Sequence, residues 1–206
     1  MSKKPIIVFE GIEGSGKSHH ISVVSGYLKK KRISHIKIRE PGGNPNSEKI
    51  RNLILNNKSN FNKNTDLLLY MAARSENINV IKNSYKKKII LIDRFRDSTI
   101  AYQHFGMGVD LNLIKTLNNF LLKNIKVNFT FLNIVNQKNL QKRLKQRKSL
   151  NRYDKFNFSF YNKVQKGFIR LSKKQKNKYQ LIDSNLEIDK NEKLILYKID
   201  KLIKWI

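Results

Sequence analysis

The sequence predicts an α/β fold in which a five-stranded, mainly parallel sheet is flanked by helices. Three observations carry this expectation. Short β-branched apolar runs recur along the chain, helical stretches separate them, and the residues able to do chemistry fall at the ends of the runs. Strands that alternate with helices need crossover connections, which make neighbouring strands parallel and cover both faces of the sheet. Ligands of such sheets bind beyond the carboxyl ends of the strands.

The apolar runs are IIVF at 6–9, HIKI at 35–38, IILI at 89–92, FTFLNIV at 129–135 and YQLI at 179–182. Between them, apolar residues recur at three- and four-residue spacing over 21–28, 67–81, 111–122 and 194–203. No repeat and no linker divides the 206 residues, so one domain over 1–206 is expected. Segment 145–158 breaks the regular pattern between two helical stretches and reads as a mobile lid.

Composition narrows the setting. The chain has no cysteine, which rules out disulfides and thiolate metal sites and fits a reducing cytoplasm. The N-terminal apolar run is four residues long and stops at Glu10, too short for a signal-peptide core or a membrane span. A cytoplasmic protein with no membrane partner is expected. Lys and Arg number 43 against 15 Asp and Glu, a formal net charge of +28. That balance invites a nucleic-acid reading. Yet the chain is also rich in Asn and Ile, and alanine occurs only at Ala72, Ala73 and Ala101. This is the signature of A/T-rich codons. The lysines are dispersed and no nucleic-acid motif accompanies them, so no specific nucleic-acid partner is expected.

The most informative motif follows the first apolar run. Gly11-Ile12-Glu13-Gly14-Ser15-Gly16-Lys17-Ser18 satisfies G-x-x-x-x-G-K-[ST] between a strand and a helix. Its glycines let successive N–H groups turn inward around phosphate oxygens, and the helix that follows adds its positive dipole end. Lys17 can reach the β- and γ-phosphates of ATP, and the Ser18 hydroxyl can ligate Mg²⁺. Asp93 closes another apolar run, where a carboxylate can hold the same magnesium or its water shell. Arg94 beside it can bridge phosphates. The fold expected is that of the P-loop NTPases.

Beyond this loop the chain resembles the thymidylate kinase family, nearly from end to end. Phe9-Glu10-Gly11-Ile12-Glu13-Gly14 resembles the family's F-E-G-x-[DE]-G opening. Arg39-Glu40-Pro41-Gly42-Gly43, followed by Glu48-Lys49-Ile50-Arg51, resembles R-E-P-G-G…E-x-I-R. Leu67 to Arg74 resembles L-L-[FY]-x-A-x-R, and Asp93-Arg94-Phe95 through Ala101-Tyr102-Gln103 resembles D-R-[YF]…S-[ST]-x-A-Y-Q. In the lid, Arg147 to Asp154 is similar to R-G-x-L-D-R-x-E.

The resemblance implies transfer of phosphate from ATP to dTMP, giving dTDP for dTTP synthesis, with Mg²⁺ and as a homodimer. It assigns Arg39 and Arg94 to the monophosphate, Arg74 to the thymine carbonyl edge and Tyr70 to stacking on the base. Ser98, Thr99 and Gln103 line the acceptor pocket, Tyr102 lies under the sugar at C2′, and Glu13 lies between the two nucleotides. The phosphate loop holds no arginine, so the transferring phosphoryl group needs a cation from the lid. Arg152, at the family's L-D-R position, is expected first and Arg147 second. Lys148 and Asn151 stand where the family usually has glycine and aspartate, and Asn133 where it often has aspartate. A kinase of another monophosphate or of a deoxynucleoside, and a nucleic-acid-dependent NTPase, are the alternatives.

Overall fold

Successive side chains of a strand point to opposite faces, and in the first apolar run both sets are hydrophobic. Ile7 and Phe9 enter one core, while Ile6 and Val8 enter another. A strand of this kind must be covered on both sides. The computed structural model, which describes residues 4–204, shows how. The strands are β1 (Ile6–Glu10), β2 (His35–Arg39), β3 (Ile89–Asp93), β4 (Phe129–Ile134) and β5 (Tyr179–Asp183). They pair in parallel throughout, in the order β2-β3-β1-β4-β5.

The helices are α1 (Lys17–Lys30), α2 (Pro45–Leu55), α3 (Lys63–Ser84), α4 (Arg96–Thr99), α5 (Leu111–Leu122), α6 (Gln137–Lys145), α7 (Phe158–Lys174) and α8 (Ile188–Ile203). A π-helical stretch, Ile100–Gly106, continues α4. Val24 and Leu28 of α1 and Ile195 and Ile199 of α8 cover one face of the sheet. Ile78 and Ile81 of α3 and Leu122 of α5 cover the other. No helix among the described residues is long and apolar enough to cross a membrane.

The abundant asparagines have a local use. Asn44, Asn62, Asn136 and Asn157 each accept a backbone N–H in the first turn of the helix that follows, as does Asp110 before α5. Each such cap is worth about 0.5–2 kcal/mol. Asn44, with Pro45 at the first helical position, marks α2 where apolar periodicity is weak.

Two departures from the sequence-based expectation have a clear physical cause. The run at 129–135 yields a strand ending at Ile134, because the Val135 N–H and C=O are both bonded to the Gln165 side chain of α7. The lid is more engaged than its composition suggests. Its distal part folds into a turn, Tyr153–Lys155, with Tyr153 and Asp154 buried. Tyr153, Phe156 and Phe160 pack as neighbouring rings, an aromatic cluster hidden among lysines in the sequence.

Candidate functional site

The strand order reverses around β1: the chain crosses to β2 and β3 on one side and to β4 and β5 on the other. A crevice opens at such a switch point. Here it is a cavity of about 580 Å³ lined by the carboxyl ends of the strands and the lid.

The phosphate loop forms its floor. Gly11 has φ +138°, and a Cβ there would lie 2.3 Å from the Asn133 carbonyl oxygen, so only glycine lets the loop approach β4 this closely. Gly16 enters α1 at φ +85°, turning the amides of the first helical turn toward the cavity. The loop's carbonyls are held from behind. Asn133 Nδ2 and Ser184 Oγ donate to Ser15 O at 3.1 and 2.6 Å, and Arg143 donates to Gly14 O at 2.8 Å. Glu13, Gly14, Ser15, Gly16, Lys17 and Ser18 line the cavity. Gly11 and Ile12 lie behind it, and their carbonyls accept from Lys17 Nζ at 2.9 and 2.7 Å. Burial, with Arg94 adding to it, pulls the Lys17 ammonium down to about 7.

At the end of β3, Asp93 Oδ2 accepts from Ser18 Oγ at 3.4 Å, while Asp93 Oδ1 is buried without a partner. Arg94 follows at φ +65°, an unusual angle for a side-chain-bearing residue. Its guanidinium donates to Gly11 O and to Glu13 Oε1, each at 2.8 Å, and lies 5.0 Å from the Tyr102 ring centre. The Tyr102 hydroxyl donates to the other Glu13 oxygen. Burial alone would raise the Glu13 carboxyl, but Arg94, Lys17 and Tyr102 hold it below the usual carboxylate range.

Arg39, Tyr70, Arg74, Ser98, Thr99, Tyr102 and Gln103 also line the cavity. Arg39 is half exposed and paired with Glu48 at 2.8 Å. Arg74 is only 2% exposed and donates to Glu40 at 2.7 Å and to Asn118 at 2.6 Å. Thr99 Oγ1 and Gln103 Oε1 are buried polar atoms without a partner. Such atoms are costly unless a ligand satisfies them.

The lid arginines separate. Arg147 lines the cavity and pairs with Asp154. Arg152, expected first, is not brought there. It pairs with Asp66 of α3 and donates to Ile54 O of α2 at 3.0 Å, which fastens segment 145–158 to these two helices. An arginine's charge is visible in a sequence, but the partner that claims it is not.

Several contributors escaped sequence reasoning. Arg143 is one of several basic residues of α6, and nothing in its spacing distinguishes it. Asn133 stands out in the sequence as a departure from the family's aspartate, but its hold on the Ser15 carbonyl is not legible there. Tyr153 falls at a position that the motif leaves unspecified, yet its hydroxyl links Asp66 at 2.9 Å to Gln103 at 3.3 Å and its ring meets Tyr70 and Tyr102 edge-on.

Comparison with known proteins agrees with this geometry. The family model described as thymidylate kinase matches residues 9–195. The chain is 39% identical over 185 residues to the thymidylate kinase of Thermosipho africanus, covering 89% of this chain and 91% of that one. It is 33% identical over 186 residues to that of Kosmotoga olearia, covering 89% of each. A crystal structure of thymidylate kinase from Ehrlichia chaffeensis superposes with a TM-score of 0.76 at 29% identity, covering 97% of this chain and 99% of that chain. With the phosphate loop and the residues of the other family motifs lining one cavity, the chain belongs to the thymidylate kinase family, nucleoside monophosphate kinases that phosphorylate dTMP to dTDP.

Proposed function

We propose that the cavity holds ATP phosphates over the loop Glu13–Ser18 and dTMP against Arg39, Tyr70, Arg74, Ser98, Thr99, Tyr102 and Gln103. The observation that carries this reading is that one cavity is lined both by a phosphate loop and by Thr99 and Gln103, each of which carries a buried side-chain oxygen without a partner. A pyrimidine base offers both donors and acceptors to such atoms.

A dTMP phosphate oxygen attacks the γ-phosphorus of ATP in line, the bond to the β–γ bridging oxygen breaks, and ADP leaves. No covalent enzyme intermediate is required. Lys17 exchanges its loop carbonyls for the β- and γ-phosphates. Arg94 lies where the two phosphates meet, and Arg39 steadies the acceptor phosphate as a planar cationic fork. Glu13 holds Arg94 and Tyr102 in place between the nucleotides. From the lid, Arg147 supplies charge to the moving phosphoryl group, with Arg143 at the loop beside it. Arg152 keeps the lid against α3.

Ser18 and Asp93 would hold Mg²⁺. The fit rests on the unpartnered Asp93 Oδ1 beside a hydroxyl, two hard oxygen donors of the type magnesium takes together with substrate phosphates. No cluster of three or more metal-ligating side chains exists among the described residues, which suits an ion completed by phosphate and water. When bound, the ion neutralises charge on the β- and γ-phosphate oxygens.

The chain acts as one domain with residues 145–158 as its lid, in a reducing cytoplasm. A second copy of the chain is its partner. α2, α3 and α5 expose Leu53, Leu68, Leu113 and Phe120, the last 69% exposed. Sedimentation equilibrium should give twice the mass of the chain.

Incubation with ATP, Mg²⁺ and dTMP, followed by phosphorus NMR, should show dTDP and ADP in equal amounts. Lys17→Met should abolish the signal with the circular dichroism spectrum unchanged. Near-normal dTDP formation by that folded variant would remove the phosphate loop from the mechanism.

A further inference from the structure

Most helices around the site supply their own N-terminal cap, but α4 does not. It starts after Phe95, whose side chain cannot accept a hydrogen bond and which itself follows the strained Arg94. Its first amides are nonetheless satisfied, from another element. Glu10, the last residue of β1, accepts from Phe95 N at 2.9 Å and from Ser98 N at 3.2 Å through one carboxylate oxygen. The other oxygen accepts from the Ser98 hydroxyl.

From this geometry we infer that Glu10 is a positioning residue for phosphoryl transfer, capping α4 and setting the place of Arg94 through Ser98. The inference rests on the dTMP kinase reading above and adds a residue that does not line the nucleotide cavity. Glu10 lies instead in the floor of a second cavity of about 220 Å³ on the far side of the Arg94–Ser98 turn, and is only 1% exposed.

The physical case has three parts. A carboxylate at a helix start satisfies amides that would otherwise be orphaned, and the helix dipole favours its charge. Ser98 Oγ in turn lies 3.5 Å from an Arg94 nitrogen that also donates to Gly11 O at 2.8 Å. Glu10 and its neighbour Gly11 therefore grip the Arg94 turn from both ends. Finally, a φ of +65° at Arg94 persists only where surrounding contacts over-determine it, and the Glu10 hydrogen bonds are three of those contacts.

Glu10→Gln preserves shape and leaves one oxygen for the two amides. It sets an NH₂ group against Ser98 Oγ, however, so that hydroxyl must accept where it now donates. Above about pH 7, where the buried Glu10 carboxyl is ionised, its charge-assisted bonds, about twice as strong as neutral ones, are lost. Displacing Arg94 in this way should be felt on the acceptor side. We expect E10Q to lower kcat/KM for dTMP ~10-fold or more, with a raised KM for dTMP and an unmoved KM for ATP. Its thermal midpoint at pH 8 should be no lower than that of the wild type.

Steady-state kinetics on wild type and E10Q, with melting curves on both, tests this. Unchanged kcat/KM for dTMP in E10Q would overturn the inference. So would a lowered kcat with both KM values unmoved and a fallen midpoint, the pattern of a merely structural residue. Should E10Q fail to fold, Glu10→Asp keeps the charge and draws the carboxylate one methylene back from Ser98 and the α4 amides. It should show the same one-sided KM change, and wild-type kinetics from it would overturn the inference equally. An inactive wild type would overturn the reaction reading and this inference with it, whereas an active wild type beside an unaltered E10Q overturns this inference alone.

Discussion

Arg94 and Glu13 form an ion pair 2.8 Å long at the centre of the cavity, joining the strand end that carries Asp93 to the phosphate loop. Both members are mostly buried, with 18% and 12% of their side chains exposed. A pair of this kind works by geometry more than by net stability, because desolvation offsets much of its attraction. Glu13→Gln should therefore free Arg94 and Tyr102 together. A displacement near 1 Å costs about 10²-fold, so kcat should fall by roughly that factor. Kinetics within a few-fold of wild type would show that Arg94 needs no such tether.

The two lid arginines should behave differently. An arginine that meets transition-state charge is worth ~10³-fold or more, and Arg147→Ala should approach that loss in kcat with little change in melting temperature. Arg152→Ala breaks a buried pair with Asp66, whose side chain is 2% exposed. Breaking such a pair costs about 3–5 kcal/mol. Melting temperature should drop in Arg152→Ala, while kcat of the folded enzyme should fall less than in Arg147→Ala. The reverse ranking of kcat would return the transition-state role to Arg152.

Sugar discrimination should reside in the Tyr102 ring and not in its hydroxyl, which is committed to Glu13. Tyr102→Ala should raise the ratio of kcat/KM for UMP to that for dTMP by opening space at C2′. Tyr102→Phe should keep the wild-type ratio although its rate falls. An unchanged ratio in the alanine variant would refute the steric account.

Stability should carry a pH dependence from Glu10. Burial first, and then the Asp97 carboxylate, push its carboxyl up from the ordinary 4.5 to about 7, against Ser98, the Phe95 amide and Arg94. Lys17 of α1 and Tyr179 of β5 also face it. Between those two values the native chain holds a proton that the unfolded chain has released. The stabilisation is thus complete below about 4.5 and is lost as pH rises through about 7. Relative to E10Q, the wild type should lose melting temperature from pH 5 to pH 8 (pH values on the order of the two ends of that window). A constant difference across the range would place the Glu10 titration elsewhere.

The excess of lysine should prove incidental to catalysis. Polyanions should bind weakly and lose affinity steeply with salt. Phosphorylation of dTMP should proceed without nucleic acid, and sequence-specific binding at physiological salt would contradict this.

Much of this was legible before any coordinates. The parallel sheet followed from β-branched runs such as IIVF and IILI, which are apolar on both faces and so need cover on both. The phosphate loop followed from spacing, because glycine geometry and a lysine at the helix start are local requirements. The residues proposed for the acceptor came through family motifs, not from physics alone. What stayed hidden depends on partners distant in sequence. Arg152 carried the right charge and family position, yet Asp66, 86 residues away, claims it. Tyr153 stands in a basic stretch of the sequence, and only the fold sets its ring among Tyr70, Tyr102 and Phe156. Glu10 read as the end of an apolar strand. Its role rests on amides 85 and 88 positions further on.

The central claim is that this one cavity selects dTMP and phosphorylates it from ATP. Its most direct measurement is kcat/KM for a panel of nucleoside monophosphates (dTMP, dUMP, UMP, dCMP, dAMP and dGMP), with ADP formation followed in the presence of ATP and Mg²⁺. The account predicts dTMP as the best acceptor, with UMP well below it. A different monophosphate at the head of the panel, or no transfer to dTMP by folded enzyme, would contradict it.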